Sequence, residues 1–226
     1  MKRVLVLTCV AVACAAAAAP AGATNECRGL QVCVPVTGPW VLAAPGEVQF
    51  QLACPKRFVV GGLDAELSSR GIDVGFVGRL GSPVNPGITT SKEAVFLGRF
   101  VHGPDGAPSF RPHIGCVPAS GGGQRTPTAF RAVAPGKPVE RRVFQVGVRA
   151  GKTRRYVGRC LARERLAAAT HAIAFYGDVP PTPRVARAVS VAQRIRGGRA
   201  ELTIHASPAV AGTRAVVQLD LLCVAR

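Results

Sequence analysis

"VVQLDLLCVA", Val216 to Ala225, alternates Val217, Leu219, Leu221 and Cys223 with Gln218 and Asp220. Side chains two residues apart share one face of a strand, so this stretch predicts a half-buried β-strand whose inward face ends on a cysteine. A second stretch obeys the same rule: Phe110, Pro112, Ile114 and Cys116 alternate with Arg111 and His113. Each closing strand has a cysteine upstream at nearly the same distance, 62 residues from Cys54 to Cys116 and 63 from Cys160 to Cys223, which leaves Cys27 and Cys33 as a close pair. Six cysteines permit many pairings, and the simplest is Cys27 with Cys33, Cys54 with Cys116, and Cys160 with Cys223.

The matched spacing points to an internal duplication. An alternating strand runs into each upstream cysteine. Val48, Phe50, Leu52 and Cys54 oppose Gln49 and Gln51, while Tyr156 and Cys160 oppose Arg155 and Arg159. "FVVGG" (Phe58 to Gly62) parallels "RLAAA" (Arg165 to Ala169). "GFVG" (Gly75 to Gly78) parallels "AFYG" (Ala174 to Gly177), each followed by a P-x-x-P loop. Further stripes run through Phe144, Val146 and Val148 and through Ala200, Leu202, Ile204 and Ala206. "VRAGKTRRY", Val148 to Tyr156, reads as a hairpin, and only Ala162 to Ala172 suits a short helix. The fold class expected is all-β, as two tandem disulfide-bridged β-sandwich or jelly-roll-like modules.

Lys2 and Arg3, the apolar run Val4 to Ala19, and Ala21-Gly22-Ala23 read as a signal peptide over residues 1–23, carrying Cys9 and Cys14 away with it. Ala11-Val12-Ala13-Cys14 is a poor lipid-attachment box. The first β module is expected over 24–117, a Gly/Ser/Pro linker ("PASGGGQRTPT") over 118–128, and the second module over 129–226. No later stretch reaches the roughly 20 apolar residues of a spanning helix. The reading is therefore a secreted, extracytoplasmic protein without a transmembrane segment.

"CPKRFVVGG" (Cys54 to Gly62) and the closing "VVQLDLLCVA" resemble a module of uncharacterised exported bacterial proteins, which shows Cys-Pro-x-Gly, then Val-Gly-Gly, and ends on a strand finishing in Cys-Ala. The resemblance implies a small disulfide-bridged β-sandwich with no assigned activity. It is weaker in the second half, where Leu161 stands at the proline position and Ala167-Ala168 replace the glycine pair.

The formal net charge is +17, unevenly spread: residues 24–125 carry 9 Lys+Arg against 7 Asp+Glu, and residues 126–226 carry 18 against 5. Arginine outnumbers lysine 24 to 5, which suits a GC-rich genome as well as it suits a function. A cationic half attracts polyanions at long range, and salt screens that attraction. The densest run supplies the candidate polyanion-binding residues Arg141, Arg142, Arg149, Lys152, Arg154, Arg155 and Arg159, whose guanidinium forks suit phosphate, sulfate and carboxylate. Specific nucleic-acid binding needs stacking platforms, and the aromatic residues sit mostly at core-like positions. Trp40, beside Pro39, is the one candidate for stacking on a sugar.

Enzymatic motifs are missing from the sequence. "GFVGRLGSPVNPG" (Gly75 to Gly87) lacks the Gly-Lys-Ser/Thr of a phosphate loop, and Pro83 and Pro86 block the helix a dinucleotide fingerprint opens; its glycines read as strand-end devices. His102, His113, His171 and His205 show no zinc-site spacing, and His113 and His205 fall on polar strand faces. No G-x-S-x-G elbow occurs. The function expected is a non-enzymatic, envelope-associated or extracellular protein with no cofactor and no metal. Its partners would be anionic cell-envelope polymers or acidic polysaccharide, with no specific nucleic acid. The alternative is a lectin-like carbohydrate module; a hydrolase would need a histidine brought to a carboxylate by the fold.

Overall fold

A computed structural model describes residues 24–30, 32–44, 46–77, 92–101, 107–119 and 139–226. Among them, seven strands come from the N-terminal half: β1 (Val34–Thr37), β2 (Trp40–Leu42), β3 (Val48–Ala53), β4 (Phe58–Leu67), β5 (Ile72–Val77), β6 (Glu93–Phe100) and β7 (Ser109–Pro118). The C-terminal half supplies β8 (Val139–Gly147), β9 (Thr153–Arg159), β10 (Glu164–Tyr176), a single helical turn α1 (Pro183–Ala186), β11 (Val189–Arg196), β12 (Arg199–Ala206) and β13 (Arg214–Ala225). All the pairing among the described residues is antiparallel.

Within each half the chain switches between two layers in the same order. In the first, β7 lies between β4 and the successive short strands β1 and β2, while β6 lies between β3 and β5. In the second, β13 lies between β10 and β8, while β12 lies between β9 and β11. Among the described residues this is a jelly-roll-like winding with fewer strands than the full form. The irregularity along β4 and β10 also matches. Val60 sits opposite Cys116 and Leu166 opposite Cys223, and the register then slips by one residue, at Gly61 and at Ala167.

The three disulfides join Cys27 to Cys33, Cys54 to Cys116 and Cys160 to Cys223, the pairs that the spacing singles out. Each long bridge ties the end of a small-sheet strand, β3 or β9, to the central large-sheet strand, β7 or β13.

The halves share one continuous sheet, because β2 pairs with both β7 and β10. The two small sheets cover opposite faces of it. Val217, Leu219 and Leu221 pack with Ala200, Leu202 and Ile204. Ala172, Ala174 and Val216 turn the other way, toward Phe50, Phe96, Phe110 and Ile114. β13 and the end of β10, at Ala172, Ala174 and Phe175, are therefore buried between the layers. Glu164–Tyr176 is a strand throughout, which corrects the helix expected over Ala162 to Ala172; its long pairing with β13 overrides alanine's helix propensity.

Three more expectations change. Val148 to Tyr156 is not a β-hairpin. A turn closes it through the Lys152 N–H to the Arg149 carbonyl at 3.2 Å, with Gly151 at φ 68°, but β8 pairs with β13 and β9 with β12. Gly75 to Val77 of "GFVG" lie on β5, Gly78 lies outside the described residues, and "AFYG" lies at the end of β10, a strand with a different place in the winding. Gly75 has open space where a side chain would stand and no positive φ, so it is no strand-end device. Trp40 is 4% exposed, a core residue and not a platform. The P-x-x-P loop at 83–86, His102 and most of the expected linker lie outside the described residues; Pro118, its expected start, ends β7.

Candidate functional site

The seven basic residues singled out in the sequence separate into three environments. Arg141 donates to Asp220 and to Gln49 Oε1, the latter at 2.9 Å. Arg142 forms a two-pronged pair with Glu164, Nε to Oε2 at 3.0 Å and Nη2 to Oε1 at 2.5 Å. That hydrogen bonding holds the Glu164 carboxyl below its usual range and the Arg142 guanidinium above its own, and the Leu161 N–H adds to the lowering of Glu164. Burial pushes the Asp220 carboxyl up despite the nearby Arg141. Arg154 donates to the Gly147 carbonyl at 3.2 Å. Arg149 and Lys152 stand exposed on the connection between β8 and β9.

Arg155 and Arg159 meet others. They point outward from β9, away from Tyr156 and Gly158, onto the solvent face of the β9–β12–β11 sheet. Register brings three further arginines to that face. Arg159 lies directly opposite Arg199 on β12, and Arg199 lies directly opposite Arg196 on β11. In the next row Val157, Glu201 and Arg194 lie abreast, followed by Arg155, Thr203 and Ala192. Five arginines therefore share this face with one carboxylate, Glu201. Among the described residues no ion pair joins any of the five to an acid. The corresponding sheet of the N-terminal half is balanced: Arg99 on β6 pairs with Asp73 on β5 at 3.5 Å.

Arg194, Arg196 and Arg199 lie outside the densest basic run of the sequence. The signal was present in "RIRGGR", Arg194 to Arg199, where a Gly-Gly pair sits between alternating residues. Gly197 (φ 56°) and Gly198 (φ 69°) both take the left-handed conformation that a two-residue hairpin turn of the primed type requires.

A second cluster lies on the other half. The Cys27–Cys33 loop covers the outer face of β4 and β7, and a methyl group at Gly62 or Gly115 would come within 1.8 or 2.1 Å of the Glu26 carbonyl oxygen. Beneath it His113 is nearly inaccessible, which corrects its expected solvated position. Its Nδ1 faces Thr37 Oγ1 at 3.3 Å and Glu26 Oε1 at 4.0 Å, and its Nε2 faces Glu66 Oε1 at 3.6 Å. Asp64 accepts from the Asn25 N–H at 2.6 Å, and Arg111 pairs with Glu66 at 3.6 Å. The fold thus does bring a histidine to carboxylates, under a bridged loop that seals it at 4% exposure.

His171 and Gln193 bond at 2.7 Å between β10 and β11, and His205 bonds Thr153 at 2.9 Å. Ligand atoms of Cys160, Glu164 and Cys223 lie within 4.8 Å of one another, but both sulfurs are used in the disulfide and offer no thiolate. No helix among the described residues is long and apolar enough to cross a membrane. The chain matches no protein-family model and no curated protein.

Proposed function

We propose that the chain is a non-enzymatic exported protein of the cell envelope or its surroundings, built as a duplicated pair of jelly-roll-like modules, whose C-terminal half holds anionic polymers. The observation that carries this reading is the outer face of the β9–β12–β11 sheet, with Arg155, Arg159, Arg194, Arg196 and Arg199 against Glu201 alone. Like charges placed directly opposite on neighbouring strands destabilise a sheet, so a row of arginines is best supported by an external counter-charge. Three disulfides suit an oxidising compartment. The common order of pairing and the matched long bridges support the duplication.

The lectin reading loses its one aromatic candidate with Trp40 in the core, and the carboxylate-flanked His113 serves to seat the N-terminal loop. The test is retention of the purified chain on immobilised polyanions as sodium chloride rises. Binding should fall steeply with salt and be lost when all five arginines are replaced by glutamine. Retention that ignores ionic strength, or that survives the five-fold replacement, overturns the proposal.

A further inference from the structure

We infer that the row Arg159–Arg199–Arg196 is a discrete site for one tetrahedral oxyanion, a phosphate or sulfate ester carried on a polymer; this rests on the polyanion reading above. The three residues are consecutive cross-strand neighbours on one face. Directly opposite side chains start roughly 5 Å apart, well within the reach of an arginine, so the outer two can converge over Arg199. All three are exposed, and none has a carboxylate partner among the described residues. Arg194 differs, because Glu201 stands directly opposite it and offsets its charge.

The number of forks selects the ligand. A carboxylate presents two oxygens and is satisfied by one bidentate guanidinium, whereas a phosphate or sulfate ester offers three, enough for several forks at once. Arginine in place of lysine matters for the same reason, since a fork fixes geometry as well as charge. Approach is open at this end of the sheet: side chains built at Gly197 or Gly198 would meet nothing within 4 Å.

Two triple variants test this, R159K/R196K/R199K and R159Q/R196Q/R199Q, each titrated with dextran phosphate (a phosphate monoester), heparin and polyglutamate at fixed salt. The wild-type chain should bind dextran phosphate or heparin more tightly than polyglutamate of equal charge, and whichever of the first two binds better identifies the ester. The lysine variant keeps the charge and should lose about tenfold toward the tetrahedral anion, the size of one lost charge-assisted bond. The glutamine variant should lose more while melting at or above the wild-type temperature, because a like-charge row has been removed; that also shows that the fold is intact. Lysine-variant affinity equal to wild type, or polyglutamate bound as tightly as the esters, overturns the inference and leaves the general polyanion reading standing. If the wild type binds none of the three, the polyanion reading itself fails.

Discussion

Gln218, buried in the middle of β13, holds both backbone hydrogen-bonding groups of Gln51 on β3: its Oε1 accepts from the Gln51 N–H at 2.6 Å and its Nε2 donates to the Gln51 carbonyl at 3.0 Å. β3 is the edge of its small sheet, and an edge presents backbone groups that need partners. A side chain from the other half of the protein supplies them. Beside it Arg141, on β8, reaches Gln49 of the same strand. Gln218→Leu leaves the Gln51 N–H and carbonyl without partners at a half-buried site and should cost about 2 kcal/mol. Urea unfolding measures the loss; a midpoint within error of wild type would show that water replaces the amide freely.

How far the sequence discloses this architecture depends on what each signal encodes. Period-2 alternation reports solvent and core directly on β12, whereas on β7 and β13 it picks out the apolar face correctly but its polar partners His113, Gln218 and Asp220 are buried as well. The two long cystines are legible because each cysteine closes an inward stripe. Alternation does not name a strand's partner, however, so a turn at Ala150 to Lys152 reads as a hairpin when the chain is crossing from one layer to the other. The placement of β10 is likewise invisible: its Ala172 and Ala174 answer to a core contributed by the other half of the chain. The arginine row was hidden for the same reason, being assembled from Arg159, Arg196 and Arg199 on three strands, while the local run that drew attention at 141 and 142 is engaged in internal ion pairs.

The long disulfides should contribute alike, since they close loops of 62 and 63 residues. Replacing either pair by alanine, C54A/C116A or C160A/C223A, is expected to cost on the order of 4 kcal/mol through the unfolded chain, in the chain-entropy account. Removing Cys27–Cys33, which spans 6 residues, should cost clearly less. Chemical denaturation of the three double variants makes the comparison, and a larger loss from C27A/C33A than from the others would contradict it.

Arg57 has φ 70° and is the only non-glycine with positive φ among the described residues. It occupies the third position of the turn from Pro55 to Phe58, closed by the Phe58 N–H to the Pro55 carbonyl at 3.1 Å. A turn of this kind favours glycine there, and a Cβ in the left-handed region costs about 1–2 kcal/mol. Arg57→Gly should therefore stabilise the protein by up to about 1 kcal/mol after glycine's greater unfolded-state entropy is set against it. A rise in melting temperature checks this; a fall would mean that the arginine side chain makes a contact worth more than the strain.

Gly62 and Gly115 face each other across β4 and β7 and admit the Glu26 carbonyl between them. Alanine at either position collides with backbone, which cannot swing aside as a side chain can. Gly62→Ala and Gly115→Ala should lift the 24–33 loop off the sheet. Faster hydrogen exchange in that loop, with β12 and β13 unchanged, is the expected result. Unchanged exchange in the loop would refute the seating role assigned to the two glycines.

Asp220 and Glu164 should impose opposite acid dependences on stability. Burial raises the Asp220 carboxyl above its ordinary value of 3.8, so the folded chain holds this proton at pH values where the unfolded chain has released it. Its contribution to stability is complete below the ordinary value and is lost as pH rises through the folded one. Glu164 is held below its ordinary 4.5 by Arg142 and the Leu161 N–H, so its contribution is present above that value and is lost as pH falls through the lowered one. Unfolding free energies of wild type, D220N and E164Q, measured from pH 3 to pH 7, separate the two. Relative to wild type, D220N should fare better at pH 7 than at pH 4, and E164Q should fare worse at pH 7 than at pH 3. Parallel curves for D220N and wild type would show that Arg141 just offsets the burial of Asp220, whereas D220N faring worse at pH 7 than at pH 4 would make the ion pair a net stabiliser at neutral pH.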